Sequence, residues 1–208
     1  MPAKITTVDL DLVSDFLAKQ PETTRAAAKL AINDTANRKA MPRFRRTMED
    51  QVSFPSGYLN EDRFAVRRLA TEADLTATIS ARHRPTSLAR FAQNQNDGLV
   101  KRQGGARVRV NPGGTKFLKG SFFVRLRRGR DTGDGFNLGL AIRLQPGETL
   151  RGRRKGISGV QLAENLYLLY GPSVDQVFSD VSVSESPFVV EQLEREFLRQ
   201  YVRLSGMA

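Results

Sequence analysis

Few side chains in this sequence are equipped for chemistry. Ser173 stands in the corner Tyr170-Gly171-Pro172-Ser173-Val174, where an apolar strand pattern gives way to a helical one, the setting of a nucleophile elbow. The G-x-S-x-G glycines of that elbow are missing, because Val174 and Asp175 follow the serine. A serine nucleophile also needs a base within hydrogen-bond reach, and the one histidine, His83, lies inside an arginine-rich segment. No catalytic residue is therefore assigned, and no enzyme is expected. The absence of cysteine excludes disulfides, thiolate metal ligands and cysteine nucleophiles together. A lone histidine leaves carboxylates as the main metal ligands, and no clustered spacing of them suggests a site. The expectation is of no metal and no cofactor.

Charge is the stronger signal. The chain has 208 residues, a formal charge of +11 and an isoelectric point near 10.5. Residues 101–155 carry 15 basic and 3 acidic side chains, a net of +12, whereas 156–208 carry 3 and 7, a net of −4. So uneven a distribution attracts nucleic acid through the middle of the chain, or joins copies head to tail. Arg127, Arg128, Arg130, Arg151, Arg153, Arg154 and Lys155 are the candidates for a subunit interface or for a channel surface that faces DNA. They fall in polar, glycine-rich stretches that read as loops, and the run at 152–156 lacks the glycine and lysine spacing of a phosphate loop. The rest of the composition fits one soluble domain: hydrophobic content is 39%, mean hydropathy is −0.40, and no apolar run approaches bilayer-spanning length.

The elements that must position these residues follow from periodicity. Leu10, Val13, Phe16 and Leu17 suit a first helix over 7–20, and residues 22–50 a longer one that Pro42 kinks or divides. Small apolar residues along that helix (Ala27, Leu30, Ala31, Ala36) suggest close packing on a sheet, while Asn33 and Asp34 suit local capping. Residues 73–82 alternate as a strand paired with 63–69. Leu88 and Phe91 lie on one helical turn, and 92–105 reads as a loop. Strands are expected at 106–110, 117–126 and 136–144, with Arg107, Arg109, Arg125 and Arg143 on one shared surface or at protected edges. Residues 166–170 form a buried strand ended by Gly171-Pro172. A short helix then carries Val174, Val177, Phe178 and Val181 on one face, and a separate C-terminal helix starts at Pro187. Together these give an α+β fold: 1–60 a helical region packing on the sheet, and 61–208 the antiparallel sheet with C-terminal helices, all in one compact domain.

The stretch LYGPSVDQVF (169–178) resembles the closing motif of the prophage minor tail protein Z family, tail-completion components of long-tailed phages. AAAKLAINDTANR (26–38), ARHRPTSLARF (81–91) and GSFFVRLRRG (120–129) resemble further landmarks of that family, in its order. The resemblance covers most of the chain from about residue 20 to about residue 185, and within it Tyr170, Gly171, Pro172, Ser173, Val174 and Phe178 mark the structural corner. It implies a tail-terminator-like fold and a structural virion protein made in the host cytoplasm. Such a protein forms a ring, a hexamer by expectation, at the head-proximal end of the tail. It would join the tail tube to the neck and connector and touch genomic DNA in the channel, with no membrane partner. The alternative from composition alone is a nucleic-acid-binding protein acting through the basic central segment.

Overall fold

The computed structural model describes residues 22–93, 95, 97–126, 137–150 and 158–206, with 97–99 described by backbone only. The helix expected over 7–20 lies outside them. Helices α1 (Glu22–Asp34) and α2 (Met41–Gln51) are joined by a π-helical segment, Thr35–Ala40. Then come β1 (Phe64–Arg68), β2 (Thr78–Ala81), β3 (Pro85–Ser87), a 3₁₀ turn (Leu88–Phe91), α3 (Asp97–Gln103), β4 (Gly105–Val108), β5 (Lys116–Lys119) and β6 (Ser121–Arg125). The remainder is β7 (Leu138–Arg143), β8 (Ser158–Ala163), β9 (Leu166–Ser173) and α4 (Val174–Ser205). All strand pairings are antiparallel, so the fold is α+β with helices in the N- and C-terminal regions.

Two compact units emerge. Unit 1 comprises Met1–Met48, Leu59–His83 and Val174–Ala208; unit 2 comprises Glu49–Tyr58 and Arg84–Ser173. Within unit 1, α1 packs against α4. Ala27 and Ala31 are fully buried, as are Val174 and Val181, and methyl-sized side chains let two helix axes approach closely. The partner of this small-residue face is thus a helix, where the sequence pointed to a sheet. Phe44, Phe64 and Phe178, each with no exposed surface, form the centre, with ring centroids 5.3 Å (Phe44–Phe178) and 5.0 Å (Phe64–Phe178) apart in edge-to-face arrangement. Such geometry adds to the roughly 1.5–3 kcal/mol that burying each ring contributes. The β1–β2 hairpin pairs Phe64 with Ala81.

Proline does not divide either long helix. Ahead of Pro42 the helix widens: the Met41 N–H bonds the Ala36 carbonyl, five residues back, and this π segment absorbs the missing donor of the proline. Pro187 lies inside α4, which runs on to Ser205 as one element. A proline frees the carbonyl four residues earlier, here on Val183, a residue 76% exposed, and solvent can replace a bond lost on the water side of a helix. Ser182 and Ser184 donate to the carbonyls of Ser179 and Val181 at 2.9 and 3.0 Å, adding local bonds around the break. Along the helix after Pro187, Leu198 and Leu204 are exposed.

Unit 2 holds a five-stranded sheet in the order β3-β9-β7-β6, with β8 also pairing β9. Leu140, Ile142 and Leu169 have no exposed surface, and Leu140 pairs with Leu169 across β7 and β9. β4 and β5 form a separate two-stranded ribbon. The expected single strand over 117–126 is therefore two: Gly120, at φ +74°, takes a conformation that side chains resist and turns the chain from the ribbon into β6. Three further elements differ from expectation. Residues 97–103 are helical, β8 begins at Ser158 and so takes the last three residues of 150–160, a stretch read as loop, and Gly171-Pro172 lies within β9.

Candidate functional site

Within unit 2 two of the family-like stretches meet. β3 pairs with the end of β9, Pro85 opposite Ser173 and Ser87 opposite Tyr170. The 3₁₀ turn that follows buries Leu88 and Phe91 over Gly171. A Cβ on Gly171 would lie 2.9 Å from Phe91 Cε2 and 3.6 Å from Leu88 Cδ1, so the glycine is required by the approach of the ring and not by a turn. Ser173 is 2% exposed and belongs to the packed end of this strand.

Within unit 1 the continuation of the same motif buries Val174, Val177 and Phe178, Phe178 against Phe44 and Phe64, while α1, which bears the 26–38 stretch, packs on α4 as well. Asn33 and Asp34 were expected to cap or bond locally; Asp34 does lie 3.6 Å from Arg38, four residues on, but both also bond over long range. The Asn33 amide donates to the Ala70 carbonyl at 3.0 Å and accepts from the Ala70 N–H at 2.8 Å, closing a two-way pair. Asp34 accepts from Gln200 at 3.1 Å and from Arg199 at 3.4 Å. Glu185, almost buried, accepts from Arg43 Nε at 2.7 Å and Thr47 Oγ1 at 2.8 Å. The Arg43 hydrogen bond, aided by Thr47 and opposed by burial, holds its carboxyl below the usual carboxylate range. His83 Nδ1 lies 3.1 Å from Asp175 Oδ2. Among the described residues no group of three His, Cys, Asp or Glu side chains is placed to share a metal ion, and no helix is long and apolar enough to cross a membrane.

The charge resolves by unit. Unit 2 carries 17 basic and 7 acidic side chains, a net of +10; unit 1 carries 16 and 15, a net of +1. No acidic residue occurs between Asp97 and Asp131, the segment that folds as α3, the β4–β5 ribbon and β6. β4 is held from both sides. On one side it pairs with β5, Arg107 opposite Phe117 and Val108 opposite Lys116. On the other, the Gln93 N–H donates to the Arg107 carbonyl at 3.0 Å and the Arg109 N–H to the Phe91 carbonyl at 2.9 Å. The inner face buries Ala106, Val108 and Leu118, and strand alternation sends Arg107, Arg109, Phe117 and Lys119 outward. The Arg107 guanidinium lies 5.9 Å from the centroid of the Phe117 ring, which is 45% exposed.

Of the residues singled out in the sequence, Arg127, Arg128, Arg130, Arg151, Arg153, Arg154 and Lys155 lie outside the described residues. Arg107, Arg109, Arg125 and Arg143 do not form one surface. The first two lie on or beside the ribbon; Arg125 pairs with Leu138 at one end of β7, and Arg143 is at its other end, paired with Leu166 of β9. Sequence reasoning missed Phe117 and Lys119 as companions of Arg107 and Arg109 on the outer face, and Lys116, which pairs with Val108 and so lies on the other face, at the exposed tip. The signal was present in the turn Asn111-Pro112-Gly113-Gly114, which folds 115–119 back onto 105–109. Comparison of the chain with protein-family models, curated proteins and solved structures gives no match.

Proposed function

We propose that this chain is a structural protein of a tailed-phage virion, a tail-completion or neck component that assembles as a ring, a hexamer, at the head-proximal end of the tail. In this role it binds the tail tube and joins it to the connector. The observation that carries the reading is how the family-like stretches pack. In unit 1 the helix that bears the 26–38 stretch packs on α4, the helix that the 169–178 motif opens, and in unit 2 residues 85–91 lie on 170–173. Segments more than 80 residues apart in sequence are thus neighbours within each unit, as expected of landmarks of one fold.

The contact between copies is assigned to the outer side of α4, where Val183, Val190, Leu198 and Val202 are exposed and recur at spacings of seven, eight and four, along one helical line. Glu191 and Glu196 are paired within the helix to Arg195 and Arg199, so less acidic charge is left for a neighbour than the net of −4 suggests. Apolar contact between copies is therefore the larger contribution. Light scattering and negative-stain imaging of the purified protein, with and without tail tubes, test this: rings, free or capping tubes at one end, are expected. A monomer that ignores tubes would sink the proposal.

The charge of unit 2 favours one second reading, a nucleic-acid-binding protein acting outside a virion. A monomer that retains DNA would select it.

A further inference from the structure

We infer that the β4–β5 ribbon of unit 2 is a binding site for duplex DNA, with Arg107, Arg109, Lys116 and Lys119 on the phosphates and the tip of the ribbon in the major groove. The inference supplies the site for the second reading and serves the first equally, since a tail component meets the genome.

Four observations carry it. The ribbon lies in a segment with no acidic residue from 98 to 130, so the stretch of sequence around it is purely cationic in its charged residues. Its base is fixed on both edges of β4 and by Ser121, whose hydroxyl accepts from the Ala106 N–H at 3.0 Å and donates to the Leu118 carbonyl at 2.6 Å. The cations thus stand on a rigid platform, which lowers the entropy lost on binding. From Asn111 to Phe117 every residue is exposed, with Thr115 accepting from the Gln93 amide at 3.2 Å, and Gly113 and Gly114 leave the tip slim, with open space where a side chain would be. A two-stranded antiparallel ribbon fits the B-form major groove, whereas the deep, narrow groove of duplex RNA excludes it.

The test is fluorescence anisotropy with a labelled duplex DNA of about 20 bp and mixed sequence, titrated with the full chain between about 50 and 200 mM salt. Each phosphate contact contributes about 0.9 to the slope of log K against log salt. Replacing Arg107, Arg109, Lys116 and Lys119 together by Ala is expected to reduce that slope by about 3 to 4 and to weaken binding more than about 30-fold at 0.1 M salt. Each single replacement is expected to remove about one unit of slope, a readout that does not depend on the quadruple variant folding. Arg107→Lys with Arg109→Lys is expected to keep the slope. An unchanged slope in both the single and the quadruple variants would overturn the assignment, as would failure of the native chain to bind duplex. Equal affinity for duplex RNA would overturn groove entry. Competition by polyglutamate as strong as by DNA at equal charge would instead assign the ribbon to an acidic protein surface. Ring formation is measured on the same quadruple variant: rings that persist while DNA is lost separate this inference from the tail-completion proposal.

Discussion

Unit 1 and unit 2 divide the work of the molecule between packing and charge. Unit 1 is nearly neutral and closes on three phenylalanine rings, and its ionic groups are largely consumed internally: Glu185 by Arg43 and Thr47, Asp34 by Arg199 and Gln200. Unit 2 is centred on aliphatic strands and carries a net of +10. On the ribbon, Arg107, Arg109 and Lys119 point outward, opposite the face that buries Ala106, Val108 and Leu118. A compact body holds like charge at a cost in self-repulsion, which a binding partner of opposite sign offsets. The comparison teaches that formal charge, taken over the whole chain, hides where a partner would be met.

Substitutions can break this contrast. The largest effect is expected from Phe178→Ala, which removes the ring shared by Phe44 and Phe64 and should destabilise unit 1 by about 3–5 kcal/mol. Amide hydrogen exchange in α1 and α4 would read it, and full protection in the variant would mean that the aromatic centre is not what closes the unit. Gly171→Ala comes next, on the unit 2 side. A methyl 2.9 Å from the Phe91 ring is expected to cost about 1–3 kcal/mol, seen as a lower midpoint in urea. An unchanged midpoint would show that Phe91 moves aside freely.

Glu185→Gln should cost about 1–2 kcal/mol at neutral pH, a discounted value because Arg43 is partly exposed. The sign of its pH dependence follows from the lowered carboxyl of the folded state. The stabilisation is present above the pKa of the unfolded chain and is lost as pH falls through the lower folded value. The gap between native and variant melting temperatures should therefore close on acidification, and a gap that widens would contradict the Arg43 assignment. The smallest effect on stability is expected from Leu198→Asp. At 62% exposure it should change folding by less than about 0.5 kcal/mol yet prevent assembly of copies, so rings formed by this variant would remove α4 from the interface.

Legibility of the sequence followed local determinism. The hairpin of 64–81, the turn at Leu88–Phe91 and the strand from Leu166 were readable because short-range alternation or spacing decides them. Pro187 misled because proline usually marks a helix start, and only the solvent-facing position of the preceding turn permits it inside one. Residues 97–103 were obscured by their Gln, Asn and Gly neighbours, whose propensity tertiary contacts override. The ribbon was half visible: its arginines alternate in sequence, but Phe117 and Lys119 join them only through the register set by the turn. Asn33 gave no local sign of a partner at Ala70, 37 residues away.

The chain passes between the two units at residues 48–49, 58–59, 83–84 and 173–174. One consequence concerns the order of synthesis. On a ribosome, every strand of the unit 2 sheet has been made once Ser173 emerges, whereas α1 and α2 must wait for α4 before Ala27, Ala31 and Phe44 are covered. The helices made earlier are thus completed last, and their apolar faces stand open for as long as the whole of unit 2 takes to be translated. In that interval they are candidates for chaperone binding.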